Sequence, residues 1–366
     1  MEEGEKITDS GPASERKKRV TGGEREKENK FSNLIYSSSE EDMAPAPPST
    51  PATPPSPALT PSLVSSVGSS RSVFPPVGGQ KRALLVGINY LGTEAELGGC
   101  VNDVLNACDL LLNVYGYSPE NILLLSDPLQ EINGLQLSKP PTYANIIEGW
   151  RWLLSGSPAK DFGSVQSYRP LPSKSRLYFH YSGHGCQVED RGARTREERK
   201  VGITKDEGDG WDEALCPLDY ETAGLIVDDI IRSQLAAKVP SGCVLNGVVD
   251  ACHSGSAFDL LWNCVPRGKG NWSLSKAGKY PATMGEVTLL SGCRDDQTSA
   301  DIRVQGKGQG ALSYALFSVL RRNKYLLECD QMLEEVRNFI REQDLSDQVP
   351  CLSFGRSANL NGKYVL

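Results

Sequence analysis

The feature that most constrains the fold is a regular alternation of short apolar runs with amphipathic segments, which begins near Lys81. Residues 83–88 (ALLVGI) have the length and composition of a buried strand, whereas residues 101–115 have apolar positions at the spacing of a helix. By the same criteria we predict strands at 121–125, 176–181, 244–249, 286–290 and 351–354 and helices at 142–154, 230–237, 311–322 and 330–341. This alternation indicates an α/β fold, a mostly parallel sheet with helices on both faces. Functional residues are expected at the carboxyl ends of its strands.

The first 80 residues differ in composition from the rest of the chain. They contain 11 of the 23 prolines, and residues 1–30 carry 16 charged side chains whose signs cancel. Such a segment cannot bury enough apolar surface to offset the entropy that is lost on ordering. We therefore predict a disordered Pro-rich N-terminal arm at 1–80 and one folded domain at 81–366. The Pro-rich stretch 42–62 is either a spacer or a ligand for protein modules with an aromatic groove.

Two stretches of the predicted domain interrupt the alternation. Residues 190–209 are dense in charge and contain several glycines, and residues 260–282 are rich in Gly, Lys, Trp and Asn. We predict that both are surface loops, exposed enough to be cut by a protease.

Charge, hydropathy and cysteine usage exclude several classes of protein. The net charge of −7 argues against a basic face, so no nucleic acid is expected as a partner. No apolar run approaches the roughly 18 residues of a membrane helix, and the acidic start MEEGEKITDS is unlike a secretory signal. We expect a soluble, cytoplasmic protein without membrane contact, with the nucleus as an alternative location. All ten cysteines lie at Cys100 or later without a Cys-x-x-Cys pair, which argues against zinc-ribbon and thioredoxin-type sites and favours reduced thiols.

Two predicted strands end in residues that carry chemistry. Strand 176–181 runs into SGHG, which contains His184, and strand 244–249 runs into DACHSG, which contains Cys252. If the strands are parallel neighbours, His184 and Cys252 lie at the same edge of the sheet, where the imidazole can take the proton of the thiol. The backbone amides of Gly185 and Cys252 are candidate donors to an oxyanion.

Each residue of this pair also has a plainer interpretation, a buried thiol for Cys252 and a loop histidine for His184. Their combination at neighbouring strand ends, with glycine beside both, favours a catalytic Cys/His dyad. Only two other histidines exist. His180 lies inside an apolar strand and is expected in the core, and His253 is expected to point away from its neighbour Cys252.

Asp250 lies two residues before Cys252, where a carboxylate would repel a thiolate unless it faced a cation. We interpret it as part of a pocket for a basic substrate side chain, with Ser182 and Asp103 as further lining residues. For Asp103 an equal alternative is open, because an aspartate at that position can cap the helix that begins nearby.

A second group of acidic residues follows the histidine motif. It comprises Asp212, Glu213, Asp228, Asp229 and Asp259. Oxygen ligands at this density suit calcium, although no EF-hand loop is present and the ligands would come from separate loops. A solvated acidic surface is the alternative, and Asp228 or Asp229 could instead cap the following helix.

The YSGHG and DACHSG segments together resemble the metacaspases, caspase-like cysteine peptidases of plants, fungi and protists. Further matching segments are 83–90, 98–103, 212–219, 226–229, 291–301 and 310–314. The likeness extends from Lys81 to the C-terminus. The Pro-rich arm and the short linker before Ser291 are similar to the type I branch, without the zinc finger of some members, because no cysteine precedes Cys100.

The resemblance implies a caspase-like three-layer αβα sandwich. It would have a large-subunit-like part at 81–259, a linker at 260–284 and a small-subunit-like part at 285–366. It also implies a monomeric, calcium-activated endopeptidase that cleaves after Arg or Lys. By motif, the dyad would be His184 and Cys252, the pocket Asp103, Ser182 and Asp250, and the calcium ligands Asp212, Asp228, Asp229 and Asp259.

The stretch 190–209 is longer and more basic than the resemblance leads us to expect, and it is a candidate for self-cleavage. The candidate positions are Arg194, Arg196, Arg199 and Lys200, then Arg267, Lys269, Lys276 and Lys279 in the later loop, and Arg71, Lys81 and Arg82 at the border of the arm. The competing hypothesis for the whole chain is a non-catalytic caspase-like scaffold that recruits partners through the Pro-rich arm.

Overall fold

The computed structural model describes residues 74, 78–132, 134–163, 168–192, 210–268, 271–277, 280–292, 301–304, 307–345 and 348–366. All of them belong to one compact unit, Pro55–Leu366. Most of the predicted arm and the basic stretch 193–209 lie outside the described residues, as do the candidate cleavage positions Arg71, Arg194, Arg196, Arg199, Lys200, Lys269 and Lys279. The predictions for these positions therefore stay predictions.

The centre of the unit is an eight-stranded sheet. Its strands are β1 (Lys81–Ile88), β2 (Ile122–Asp127), β3 (Arg176–Ser182), β7 (Val244–Asp250), β8 (Trp262–Pro266), β9 (Trp272–Lys276), β10 (Glu286–Ser291) and β13 (Cys351–Phe354). Their order is β2-β1-β3-β7-β10-β13-β8-β9. The first five strands in this order are parallel, and the last three are antiparallel to their neighbours. The predicted mostly parallel sheet is confirmed.

Five further strands form two small antiparallel sheets. One contains β4 (Gly185–Glu189), β5 (Trp211–Leu215) and β6 (Ile226–Val227), and the other contains β11 (Asp301–Val304) and β12 (Lys307–Gly310). The three-stranded sheet begins at the last residue of the SGHG motif, because β4 starts at Gly185.

Helices cover both faces of the large sheet. They are α1 (Cys100–Asn113), α2 (Tyr143–Leu153), α3 (Tyr220–Ala223), α4 (Asp228–Gln234), α5 (Ala311–Arg322) and α6 (Cys329–Glu342). Helices α1, α5 and α6 share one apolar core with alternate strand residues such as Leu85 and Val248. Helix α2 packs on the opposite face, where Trp150 meets the ring of Phe179 and where Gly149 lets Leu84 approach. The expected three-layer αβα arrangement is therefore present, and the part of the chain that is described contains no helix long and apolar enough to cross a membrane.

One part of the predicted linker is not a loop. Residues 262–266 and 272–276 form a hairpin, β8–β9, that joins the large sheet through β13. Its Trp262, Cys264, Trp272 and Leu274 belong to or pack against the apolar core, and Arg337 of α6 lies 4.9 Å from the Trp272 ring. The prediction of a surface loop at 260–282 was wrong because the glycines and lysines of this stretch obscured two short alternations of apolar and polar residues.

Candidate active site

Strands β3 and β7 place the two predicted catalytic segments side by side. They are parallel neighbours, with Ser182 in register with Asp250, and the amide of Gly183 donates to the Asp250 carbonyl at 3.4 Å. His184 and Cys252 each lie two residues beyond this registered pair.

Contact between the two segments continues past the strand ends. A Cβ atom on Gly185 would overlap the carbonyl oxygen of Cys252 and lie 3.2 Å from the Cβ of Ala251. A side chain at this position would therefore push the histidine and cysteine segments apart. The amides of Gly185 and Cys252, the predicted oxyanion donors, belong to these two adjoining backbones.

The ring of His184 is held by the segment that follows β1. Its Nε2 lies 2.7 Å from the carbonyl oxygen of Ala95, and its ring centroid lies 4.8 Å from that of Tyr90. Since a carbonyl oxygen only accepts, Nε2 carries the donated proton and Nδ1 is left for proton transfer.

Cys252 lies in a tight turn after β7. The hydroxyl of the buried Ser254 donates to the Ala251 carbonyl at 2.9 Å, and His253 adopts the left-handed conformation with φ 47°. The Cys252 side chain is half-buried in this turn. A nucleophile at the tip of such a turn is open to a substrate on one side and fixed by the strand on the other.

Four other cysteines are poor nucleophiles because burial raises the pKa of their thiols. Burial raises the pKa of Cys108 and Cys264 to about 12 and that of Cys329 to about 11. Burial also raises the pKa of Cys216, with further contributions from Cys186, 3.7 Å away, and from Cys252. These groups therefore stay protonated near neutral pH.

The three predicted pocket residues meet at the N-terminus of α5. The Ser182 hydroxyl donates to Asp103 Oδ2 at 2.7 Å, and the Gly310 amide donates to the same carboxylate at 2.9 and 3.0 Å. The amide of Ser313, in the first turn of α5, donates to Asp250 Oδ2 at 2.8 Å. Both carboxylates are buried.

Close packing keeps this group together. A Cβ on Gly310 would lie 2.8 Å from Asp103 Oδ2 and would overlap Asp250 Oδ2. On the other side, Gly87 of β1 allows α1 to approach the sheet, since a Cβ there would lie 2.7 Å from the Cys100 carbonyl. That approach brings Asp103 to the end of β3.

The two alternatives for Asp103, a helix cap and a pocket residue, differ in the groups that its carboxylate would contact. Helix α1 begins at Cys100 after Gly99, and the Val101 amide in its first turn donates to Asn89 Oδ1 at 3.1 Å. The Asp103 carboxylate instead accepts from the amide that precedes α5 and from the Ser182 hydroxyl. These contacts bring Asp103 to Ser182 and to the start of α5, and they do not support a cap on its own helix.

His180 lies in the core, as the sequence predicts. It is fully buried, with Nδ1 3.0 Å from the Tyr178 hydroxyl and Nε2 3.1 Å from the Ser313 hydroxyl. Burial lowers its pKa to about 3. His180 is therefore neutral at physiological pH, and its buried position does not suit a catalytic base.

The second acidic group gathers around the start of α4. Burial and the negative charges of Asp259, Glu213 and Asp212 raise the pKa of Asp228 well above its usual value. The Asp228 carboxylate accepts from the amides of Glu213, at 2.9 Å, and Asp229, at 2.8 Å. Asp228 thus accepts a hydrogen bond from the first turn of α4 and also lies within the acidic group.

Asp229 is placed differently from the rest of this group. Its Oδ1 accepts from the Tyr280 hydroxyl at 2.9 Å. Glu213 contributes to the raised pKa of Asp228, and its carboxylate accepts from Ser256 and from Gln187.

The side chains around Asp228 offer carboxylate oxygens as ligands, which suit a hard cation. A cation would also offset the repulsion among their negative charges. In this conformation, however, no three His, Cys, Asp or Glu side chains of the described residues converge as a metal site would require.

Two comparisons with known proteins bear on the family of this chain. A family model described as metacaspase, peptidase C14 domain, matches residues 81–261, which contain His184 and Cys252. Metacaspase-1 of Schizosaccharomyces pombe is 31% identical over 332 residues, which cover 79% of this chain and 70% of that protein. Metacaspase-1 of Arabidopsis thaliana is 34% identical over 307 residues, which cover 82% of this chain and 74% of that protein. The chain belongs to the metacaspase family.

Membership identifies this metacaspase as a cysteine-type endopeptidase with a caspase-like fold. The match includes both strand ends that carry the dyad. It favours the peptidase over the hypothesis of a non-catalytic scaffold.

Several groups of the metacaspase site escaped the sequence reasoning. Two are backbone groups, the Ala95 carbonyl that holds His184 and the Gly310 amide that holds Asp103. The residue type does not indicate their role. Ser313 is two residues into a predicted helix, and its position in the first turn was the only signal that its amide was available to a carboxylate.

Proposed function

We propose that this metacaspase is a calcium-activated endopeptidase that cleaves peptide bonds after Arg or Lys. The main support for the specificity is the pair of buried carboxylates, Asp103 and Asp250, beside the strand ends that carry His184 and Cys252. A guanidinium or ammonium group that enters this pocket would meet two negatively charged carboxylates that are shielded from water. An acidic or apolar side chain would leave both carboxylates without a cation.

The reaction needs only the groups at the two strand ends. The thiol proton of Cys252 passes to Nδ1 of His184, and the thiolate attacks the carbonyl carbon of the scissile bond. The amides of Gly185 and Cys252 donate to the resulting oxyanion. The imidazolium of His184 then gives its proton to the leaving amine as the C–N bond breaks. Water, deprotonated by His184, releases the acid product from the thioester and restores the Cys252 thiol.

The proposed calcium site lies next to this machinery along the chain. Asp212 and Glu213 are on β5, which pairs with β4, and β4 begins one residue after His184. Asp228 begins α4, and Asp259 follows the cysteine turn. A bound calcium ion would supply positive charge that offsets the repulsion among these carboxylates. The residues Asp212, Asp228, Asp229, Asp259 and Glu213 would then hold β5, α4 and the segment after Cys252 in one arrangement.

A fluorogenic peptide assay tests the proposal. Peptides ending in Arg, Lys, Asp or Leu before the reporter are incubated with the purified chain, with calcium or with chelator. We expect turnover of the Arg and Lys peptides with calcium, loss of turnover in Cys252→Ala, and full turnover in Cys351→Ala, which removes another half-buried thiol. Cleavage of the Asp peptide alone, or activity in Cys252→Ala equal to wild type, would contradict the proposal.

The pocket is tested in the same assay with two variants of α1. Asp103→Asn removes a buried charge, whereas Asp109→Asn removes an exposed one on the same helix. Because a hydrogen bond to a charged group contributes about 1.5–3 kcal/mol, we expect kcat/KM for the Arg peptide to fall about tenfold or more in Asp103→Asn only. Equal values for the two variants would move the pocket elsewhere.

A further inference from the structure

Two buried tyrosines enclose the main chain of His184. The Tyr90 hydroxyl accepts from the His184 amide at 3.1 Å, and the Tyr181 hydroxyl donates to the His184 carbonyl at 2.8 Å. Both hydroxyls also reach the carbonyl oxygen of Cys216, at 2.6 Å from Tyr90 and 3.1 Å from Tyr181. The amide of Cys216 donates to the His184 carbonyl at 3.2 Å and completes the network.

The protons of this network can be assigned from its acceptors. The Tyr90 hydroxyl has one proton, which it gives to the Cys216 carbonyl, because that oxygen, at 2.6 Å, is nearer than the Tyr181 hydroxyl, at 3.3 Å. Tyr181 directs its own proton towards the His184 carbonyl, the nearer of its two carbonyl partners. The amide and the carbonyl of His184 are therefore both linked to Cys216, the residue that follows strand β5.

The glycine before His184 is explained by the same network. A Cβ on Gly183 would lie 2.8 Å from the Tyr181 hydroxyl and 3.1 Å from the Tyr90 hydroxyl. A larger residue would have to displace at least one of the two hydroxyls. The first glycine of the SGHG motif thus leaves space for the tyrosines.

Tyr90 is held in a conformation that is unfavourable for its residue type. Its φ is 51°, in the left-handed region, and its carbonyl accepts from the amide and the hydroxyl of Thr93. This turn carries the chain back to Ala95, whose carbonyl binds the His184 ring. A strained backbone that persists in a bulky residue indicates that the surrounding contacts determine it.

The hydroxyls are suited to a permanent structural task. Both tyrosines are almost fully buried, at 1% exposure for Tyr90 and 0% for Tyr181. Burial raises the pKa of each phenol well above its usual value. They therefore remain protonated donors throughout the pH range in which a cysteine peptidase works.

We propose that Tyr90 and Tyr181 are positioning residues for His184: their hydroxyls fix the histidine main chain to the Cys216 peptide and so keep Nδ1 available to Cys252. Neither tyrosine is assigned contact with substrate. The inference rests on the proposed role of His184 as the acid–base group, and it adds how that group is kept in place.

Removal of single hydroxyls tests the inference. In Tyr90→Phe and Tyr181→Phe the rings stay and the hydrogen bonds to His184 are lost. Because small displacements of a catalytic group lower the rate strongly, we expect kcat to fall about tenfold or more in each, with KM for the Arg peptide unchanged. Tyr117→Phe is the matched control, since Tyr117 is equally buried and its hydroxyl has no hydrogen-bond partner among the described residues.

A second readout separates positioning from a general loss of structure. The rate at which iodoacetamide alkylates Cys252 is measured against pH, because it follows the fraction of thiolate that His184 supports. We expect the profile to move to higher pH in Tyr90→Phe and Tyr181→Phe and to match wild type in Tyr117→Phe. Unchanged kcat and unchanged alkylation profiles in both tyrosine variants would overturn the inference, as would equal effects in Tyr117→Phe.

Two further variants complete the design. If His184→Ala keeps the wild-type rate, the proposed dyad fails and the inference fails with it. If His184→Ala is inactive while both tyrosine variants behave as wild type, the inference alone fails. Should both tyrosine variants be unfolded by circular dichroism, Gly183→Ala displaces the same hydroxyls with the rings kept, and its kcat and alkylation profile decide between the same two outcomes.

Discussion

At the scale of single residues, the sequence predicts the role of a side chain best where its residue type has few roles in proteins. The chain has three histidines, and strand position separated His180 from His184 before any contact was known. What a sequence cannot provide is the partner of each side chain. For Asp103 the sequence leaves a helix cap and a pocket residue open, and the contacts that speak against the cap are with Ser182 and the Gly310 amide, more than seventy and two hundred positions away.

His180 leads to a prediction about stability and pH. Its pKa is about 3 in the folded chain, whereas an ordinary histidine in the unfolded chain has a pKa of about 6.5. Below pH 6.5 the unfolded state therefore binds one more proton than the folded state, and the free energy of unfolding falls as pH falls. The loss is about 1.4 kcal/mol per pH unit at most, or about 2 kcal/mol at pH 5.

The measurement is urea unfolding at pH 7, 6 and 5. In His180→Gln, which keeps polar atoms towards Tyr178 and Ser313, we expect the fall between pH 7 and pH 5 to be smaller than in wild type by up to about 2 kcal/mol. His253→Gln, in the half-buried turn after Cys252, is the control. Parallel curves for wild type and His180→Gln would contradict the assignment of a buried neutral imidazole.

At the scale of elements, periodicity identified the large features and missed the small ones. The predicted helix 311–322 has the observed bounds, and the predicted strand 176–181 ends one residue before the observed β3. The two-residue β6 and the five-residue β4 are too short for a period to emerge, and β4 begins with glycine. Their pairing depends on β5, which brings Asp212 and Glu213 beside the histidine segment, and no local signal reveals that pairing.

The acidic group around β5 and α4 gives the prediction that belongs to this scale. Asp228→Asn keeps the shape of a residue that is surrounded by the charges of Asp259, Glu213 and Asp212. Since calcium affinity follows the number of charged ligands, we expect the calcium concentration for half-maximal activity to rise about tenfold or more. The increase in unfolding temperature on adding calcium should shrink in the same variant.

Glu221→Gln is the control for this prediction, because it removes an exposed carboxylate from the neighbouring helix α3. Its calcium dependence should equal that of wild type. A wild-type calcium response in Asp228→Asn would remove Asp228 from the proposed site and leave the acidic group as a structural feature of α4.

At the scale of the whole molecule, the hairpin β8–β9 changes what self-cleavage would do. Arg267 is exposed in the turn of this hairpin, beside Gly268 with φ 85°, whereas Lys276 is at the end of the paired strand β9. A peptidase needs an extended substrate segment that can leave its surroundings, so we expect Arg267 to be cut before Lys276. The sequence does not predict this order, because residues 260–282 are expected from it to form a surface loop.

A cut after Arg267 would leave two pieces that share one sheet. The first piece would contain β7 and β8, and the second would contain β9, β10 and β13, so that the pairs β7–β10, β8–β13 and β8–β9 all join one piece to the other. We therefore expect intact-mass analysis after incubation with calcium to show two fragments, while native size-exclusion chromatography shows one species. Cys252→Ala should stay uncut, and Arg267→Gln should lose this fragment pair with its folded state unchanged. Fragments that separate without denaturant would show that these strand pairs do not hold the cleaved chain together, because burial of the shared core is the force that we expect to retain them.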